Sequence, residues 1–214
     1  MGILRLARAT LTAAAALALG AVSASGQIVM YSTSGSFSGG TGGTVCSATQ
    51  CTSGGMTLSF ANAASANYLA PTLVDLGQFS TQAAGGTQPL TAFNGVTFML
   101  TISQTVPNAG SDTFVGSVSG SLAYNPSTSS LVWTPTTNTM QIGFANYKLV
   151  TDNTGNINIQ APTTSDGQNP NMTSVKANVS VTPEPATLLL LAPALAGLGL
   201  AAKYRRRSRE EEAV

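Results

Sequence analysis

Acid–base and metal chemistry have few places to sit in this chain. It contains no histidine, so neither a Ser-His-Asp nor a Cys-His device can be assembled and no imidazole base is at hand. A glycosidase-type mechanism needs two carboxyl groups in one cleft. Between Gln27 and Val181 the acids are Asp75, Asp112, Asp152 and Asp166, and no glutamate occurs before Glu184. Asp112, Asp152 and Asp166 lie close to Gly or Asn and have the character of turn formers, while Asp75 falls in a strand pattern, on its expected wet face. Asp152-Asn153-Thr154-Gly155-Asn156 places oxygens on alternate residues, as a calcium loop does. It lacks the glycine at the sixth position and the distant glutamate that such a loop needs, so a hairpin turn is expected instead. Cys46 and Cys51 are the only cysteines. Their Cys-x4-Cys spacing is not that of a redox Cys-x-x-Cys, and no second pair completes a zinc tetrahedron; a local disulfide formed in an oxidising compartment is expected. No catalytic, cofactor-binding or metal-binding residue emerges, and the chain is not expected to be an enzyme. Asn171-Met172-Thr173 and Asn178-Val179-Ser180 match the glycosylation sequon.

The elements that would carry these residues are strands. The 214 residues include only 8% charged side chains, against roughly 25% in ordinary soluble domains. From Gln27 to Val181 only Asp75, Asp112, Asp152, Asp166, Lys148 and Lys176 are charged, so the region is solvated by hydroxyls and amides and offers no basic face for nucleic acid. Met56–Phe60, Val96–Ile102, Phe114–Tyr124 and Val175–Val181 alternate apolar and polar residues, as half-buried strands do. Shorter patterns occur at Tyr68-Leu69, Leu73–Leu76, Leu131–Trp133, Met140–Ala145, Tyr147–Val150 and Ile157–Ile159, with Pro71, Pro107–Gly110, Asn125-Pro126 and Asp152–Gly155 as breaks. Gly116 and Gly120 within one strand predict a bulge or a close approach. No stretch has a capped 3.6-residue period. The expected fold is all-β, an antiparallel β-sandwich or jelly-roll-like domain over 56–181. Ahead of it, 25–55 is expected to be a flexible Ser/Gly-rich segment, with a short strand at Gln27–Tyr31, a loop from Ser32 to Thr44 and the disulfide loop at its end.

Both termini carry targeting features. Arg5 and Arg8 precede an Ala/Leu-rich run from Leu11 to Val22, and Val22-Ser23-Ala24 supplies small residues for cleavage. Residues 1–24 are therefore expected to be a signal peptide forming a short helix, with cleavage after Gly26 as the neighbouring alternative; the Sec translocon is the implied partner. At the other end Pro183-Glu184-Pro185 forms an extended, helix-excluding stretch. Ala186–Ala202 follows as an apolar run near the lower limit of a single membrane-spanning helix, and Lys203, Arg205, Arg206 and Arg207 supply a basic stop that stays cytoplasmic.

The Pro183-Glu184-Pro185 motif, the apolar segment ending in Gly197-Leu198-Gly199-Leu200 and the Arg205-Arg206-Arg207 cluster resemble the PEP-CTERM protein-sorting tail of Gram-negative bacteria. The resemblance covers residues 182–214: motif 183–185, membrane segment 186–202 and basic end 203–214. Thr182 departs from the usual Val, and Ser208–Val214 with its three glutamates extends past the usual basic end. The resemblance implies recognition and processing by exosortase, export across the inner membrane, transient anchoring through the C-terminal helix, and a destination at the cell surface or in an exopolysaccharide-rich matrix. It assigns Pro183, Glu184 and Pro185 the role of a recognition signal. The function expected is that of a non-enzymatic structural or adhesive protein, with extracellular polysaccharide as a possible partner. Two alternatives carry structural conditions. A carbohydrate-binding module needs Trp133, Tyr124 or Tyr147 exposed on a sheet face, and a secreted hydrolase needs two converging carboxylates.

Overall fold

The structure, a computed structural model, describes residues 26–85, 89–124, 129–162 and 171–182. The signal peptide, Asp166, the sorting motif, the apolar segment and the basic stop named above lie outside the described residues. Among the described residues no helix is long and apolar enough to cross a membrane.

The expected all-β class is what forms: two curled antiparallel sheets. The first has six strands, in the order β12 (Ile157–Ile159), β9 (Ser130–Pro135), β8 (Gly110–Leu122), β7 (Thr91–Val106), β1 (Gln27–Thr41) and β5 (Ala66–Ala70). The second has seven, in the order β10 (Thr139–Ile142), β11 (Ala145–Leu149), β13 (Asn171–Val181), β6 (Thr72–Ala83), β4 (Met56–Asn62), β3 (Gln50–Ser53) and β2 (Val45–Cys46). Every neighbouring pair is antiparallel. Period-two patterning explains the layering. Phe93, Val96, Phe98, Leu100 and Ile102 of β7 are buried, as are Val74, Leu76, Phe79 and Ala83 of β6 and Val175, Ala177 and Val179 of β13. Both inner faces contribute to one core.

Aromatic rings join the two layers. Phe79 of the seven-stranded sheet lies 4.7 Å from Phe98 of the six-stranded sheet, centroid to centroid, and 5.8 Å from Trp133. Phe60 of β4 meets Phe98 at 4.8 Å and Phe79 at 5.1 Å. Phe60 fits because β1 carries no side chain at Gly35, where an added Cβ would run into the rings of both Phe60 and Phe98. Gly77 of β6 gives the same clearance from the other side, at a φ of 123° and beside a shift in the β13–β6 register. Among the described residues the buried threonines, Ser53 and Gln104 are hydrogen-bonded, as burial requires, whereas Trp133 Nε1 and Asn108 Oδ1 are buried without a partner. The Thr81 hydroxyl donates to the Gln160 carbonyl at 2.7 Å, and Thr33 Oγ1 accepts the Ala63 amide at 2.8 Å.

Two expectations are corrected. The low-complexity stretch from Ser32 to Thr44 is not a flexible loop up to Thr41; it is most of a 15-residue strand. Its serines alternate with Tyr31, Thr33 and Phe37, which turn inward, and its backbone pairs with β7 from Met30 to Thr41. The ladder and three inward side chains hold it in place despite its composition. The boundary at residue 56 disappears with it, because β1 to β3 are strands of the same two sheets as everything that follows. A smaller difference lies at Met140–Ala145, expected as one strand. Gly143, at a φ of 57°, turns the chain there, so β10 and β11 form a hairpin.

The clearance at Gly35 can be tested directly. Gly35→Val overpacks the Phe60–Phe98 contact and is expected to cost about 1–3 kcal/mol of folding stability, the usual range for extra methyl groups in a filled core. Equal denaturant midpoints for the variant and the parent chain would count against the interlock.

Candidate functional site

The described aspartates lie on different elements. Asp75 sits on β6, Asp112 on β8 and Asp152 in the turn between β11 and β12, and each is occupied locally. Asp75 Oδ1 accepts the Gly77 amide and Asp112 Oδ1 accepts the Thr113 amide, both at 2.8 Å. Among the described residues no group of three or more His, Cys, Asp or Glu could hold a metal ion.

Asp152 shows what became of the calcium-loop pattern. Its Oδ1 accepts the Thr154 hydroxyl at 2.7 Å and the amides of Thr154 and Asn156 at 2.9 Å, while Oδ2 accepts the Asn158 side-chain amide at 2.9 Å. The backbone closes the same turn through the Asp152 amide to the Asn156 carbonyl and the Gly155 amide to the Asp152 carbonyl. An Asx-type turn with four local donors on one carboxylate explains the geometry without a cation. These bonds, the Thr154 hydroxyl foremost, hold the Asp152 carboxyl below its usual 3.8, at about 2.

The aromatic residues that might have stacked on sugar rings are mostly inside. Trp133 and Tyr147 are fully buried; Tyr124 is half-buried. Gly116 packs against the Trp133 indole, which meets the expectation of a close approach there, as does Gly120 against the Ser130 backbone. Tyr147 belongs to a buried polar chain. Its hydroxyl donates to Gln104 Oε1 at 2.7 Å, and Gln104 Nε2 donates to the carbonyls of Asn108 at 2.9 Å and Ile142 at 3.2 Å. Gln104 thereby ties the β7–β8 turn to the β10–β11 turn. Tyr31 stacks on Tyr68 and donates to the Asp75 carbonyl at 2.8 Å. Burial pushes the Tyr31 and Tyr147 phenols well above their usual value. These groups serve the fold.

Cys46 and Cys51 form the expected disulfide, as register partners across β2 and β3. Cys51 is buried in the core. The four-residue loop they close is held to β1 by the Phe37 amide donating to the Ala48 carbonyl at 3.0 Å.

One organised surface is not picked out by sequence reasoning: the outer face of the six-stranded sheet. Strand register aligns its side chains into rows. Ser38, Thr97, Ser117 and Thr134 form one row across β1, β7, β8 and β9. Ser36, Met99 and Val115 form the next, followed by Ser34, Thr101 and Thr113, then Ser32, Ser103 and Ser111. The hydroxyls of Thr101 and Thr113 bond each other at 2.9 Å. Strand spacing and strand rise put such groups about 4.8 Å apart across the sheet and about 6.7 Å apart along it. No side chain of these rows is charged. The described lysines, Lys148 and Lys176, lie on β11 and β13 of the other sheet, where Lys176 is the register partner of Asp75. At its β9 end the hydroxyl face meets the Asp152 turn, through Thr134 Oγ1 donating to Asn156 Oδ1 at 2.7 Å. In the sequence this face is carried by the serine alternation of β1 and by the polar positions of the alternating stretches Val96–Ile102 and Phe114–Tyr124.

Asp152 yields a pH prediction. A carboxyl held lower in the folded chain than in the unfolded one stabilises the fold above the unfolded value, near 4, and loses that contribution as pH falls towards 2. Replacing it, as Asp152→Asn, is expected to flatten the acid limb of the stability–pH curve between about pH 4 and pH 2. An unchanged acid limb, or an Asp152 carboxyl titrating near 4 by NMR, would contradict the turn geometry.

Comparison with protein-family models, curated proteins and solved structures finds no match for this chain.

Proposed function

We propose that this is an exported, non-enzymatic protein of the bacterial cell surface or extracellular matrix, structural or adhesive in role, delivered through its C-terminal tail and processed by exosortase. The two sheets are taken as the layers of a β-sandwich, and the contact surface is the hydroxyl face of the six-stranded sheet, with neutral extracellular polysaccharide as its partner. That face is the observation that carries the reading. Each hydroxyl both donates and accepts, which suits a partner made of hydroxyls, and the lack of fixed charge favours an uncharged polymer over a polyanion. The Cys46–Cys51 disulfide fits an oxidising, extracytoplasmic setting. Separate, locally bonded aspartates favour a non-catalytic role over a hydrolase. Burial of Trp133 and Tyr147 disfavours a module that stacks sugar on those two rings.

Two measurements test the proposal. Mass spectrometry of the mature protein from its host is expected to find a C-terminus upstream of Ala186; chains reaching Val214 would replace processing with simple anchoring. Affinity electrophoresis of the same protein is expected to show retardation in gels containing a neutral polysaccharide but not an anionic one. Ser34→Glu with Ser117→Glu is expected to abolish it. Equal mobility in all gels would remove the adhesive role.

A further inference from the structure

Asn94-Gly95 is the only Asn-Gly pair in the chain. Such a pair commonly marks a two-residue hairpin turn, but here it lies inside β7, at a bulge. The β7–β8 register passes from Phe93 opposite Gly120 to Val96 opposite Val118, so Asn94 and Gly95 together oppose Ser119. On the β1 side Asn94 pairs with Thr41 and Val96 with Gly39, which puts Gly95 opposite Gly40. The φ of Gly95 is 65°, and a Cβ there would press on Thr41. Asn94 is exposed. Its backbone amide is tied to Thr44 Oγ1 at 3.4 Å, while no hydrogen bond holds its side-chain amide, which faces the open turn at Gly42. Three other asparagines are restrained. Asn62 Oδ1 accepts the Gly35 amide, and the Asn156 and Asn158 side chains are bound into the Asp152 turn.

We propose that Asn94 is a built-in site of spontaneous deamidation, presented by the fold rather than shielded by it. The Gly95 backbone nitrogen attacks Asn94 Cγ. The new N–Cγ bond closes a five-membered succinimide as the Cγ–Nδ2 bond breaks, and Nδ2 leaves as ammonia with the proton given up by the Gly95 nitrogen. One water then opens the ring at either carbonyl, leaving aspartate or isoaspartate at position 94; no oxidant or reductant is needed. The bulge contributes in two ways. It makes Gly95 an extra residue outside the regular β7–β8 register, and it places at the attacking amide the residue with least steric hindrance and widest backbone freedom. The product carries a new carboxylate beside the β1–β2 turn. The isoaspartate form also inserts a methylene into the β7 backbone, where the bulge already departs from regular pairing.

The test is peptide mapping by mass spectrometry of the full chain, purified folded from its host and aged in mildly alkaline buffer, with an isoaspartyl assay alongside. Conversion is expected to accumulate first in the peptide holding Asn94, ahead of those holding the exposed Asn138 or the turn residue Asn108, and to add one negative charge on isoelectric focusing. Asn94→Gln, whose longer side chain cannot close the five-membered ring, is expected to lose that early acidic species while the other asparagines convert as before. Conversion at Asn94 no faster than at Asn138, or seen only after unfolding in urea, would overturn the proposal.

Discussion

The fold depends on how closely two sheets can approach across a layer of rings. Phe37, Phe60, Phe79, Phe98 and Trp133 touch one another in edge-on and tilted pairs with centroids 4.7 to 6.3 Å apart. Such pairs add roughly 0.5–1.5 kcal/mol each beyond the area they bury. The rings come from β1, β4, β6, β7 and β9, so both sheets are committed to the same cluster. Space for it is made by omission. Gly35 and Gly77 leave room for Phe60, and Gly116 leaves room for the indole of Trp133. A chain this poor in charge has few ion pairs to fix the relative position of its sheets, and interlocked aromatics take over that task.

The same economy shaped what could be read in advance. Strands β4, β6, β7, β8 and β13 announce themselves because bulky residues recur at every second position. The disulfide was legible because two cysteines in a chain without histidine have only each other. Strand β1 was legible only at its start, Gln27–Tyr31; beyond it the outward residues are serine and the inward residues include Thr33 and Gly35, so hydrophobic periodicity is nearly silent even though pairing with β7 is long. The destination of aromatic residues was equally hidden. Alternation places Trp133 and Tyr147 on one side of their strands, but only the arrangement of the sheets decides that this side is the core. Asn94-Gly95 illustrates a third limit: the dipeptide specifies a backbone conformation, not whether that conformation ends a strand or merely kinks one.

Charge is divided between the two layers. Lys148, Lys176 and Asp75 belong to the seven-stranded sheet, whereas the serine and threonine rows of β1, β7, β8 and β9 carry none. The outermost strands of the layers are mostly short: β2, β10 and β12 have two, four and three residues. Short edges limit strand-to-strand addition of further chains, so the broad faces, rather than the rims, are the larger surfaces offered to solvent. The Asp152 turn borders one of those faces with a carboxylate that four local hydrogen bonds hold in its ionised form.

The lack of histidine, together with the locking of both cysteines in a disulfide, has a consequence for how such a surface responds to pH and salt. From Gly26 to Thr182 the titratable side chains are four aspartates, two lysines and a few tyrosines, and none of these types changes charge between about pH 5 and pH 9. Histidine and free cysteine, the side chains that ordinarily titrate nearest neutrality, are missing from the described residues. With so few fixed ions the fold also has little for dissolved salt to screen. Its solvation falls mainly to hydroxyl and amide groups rather than to ions.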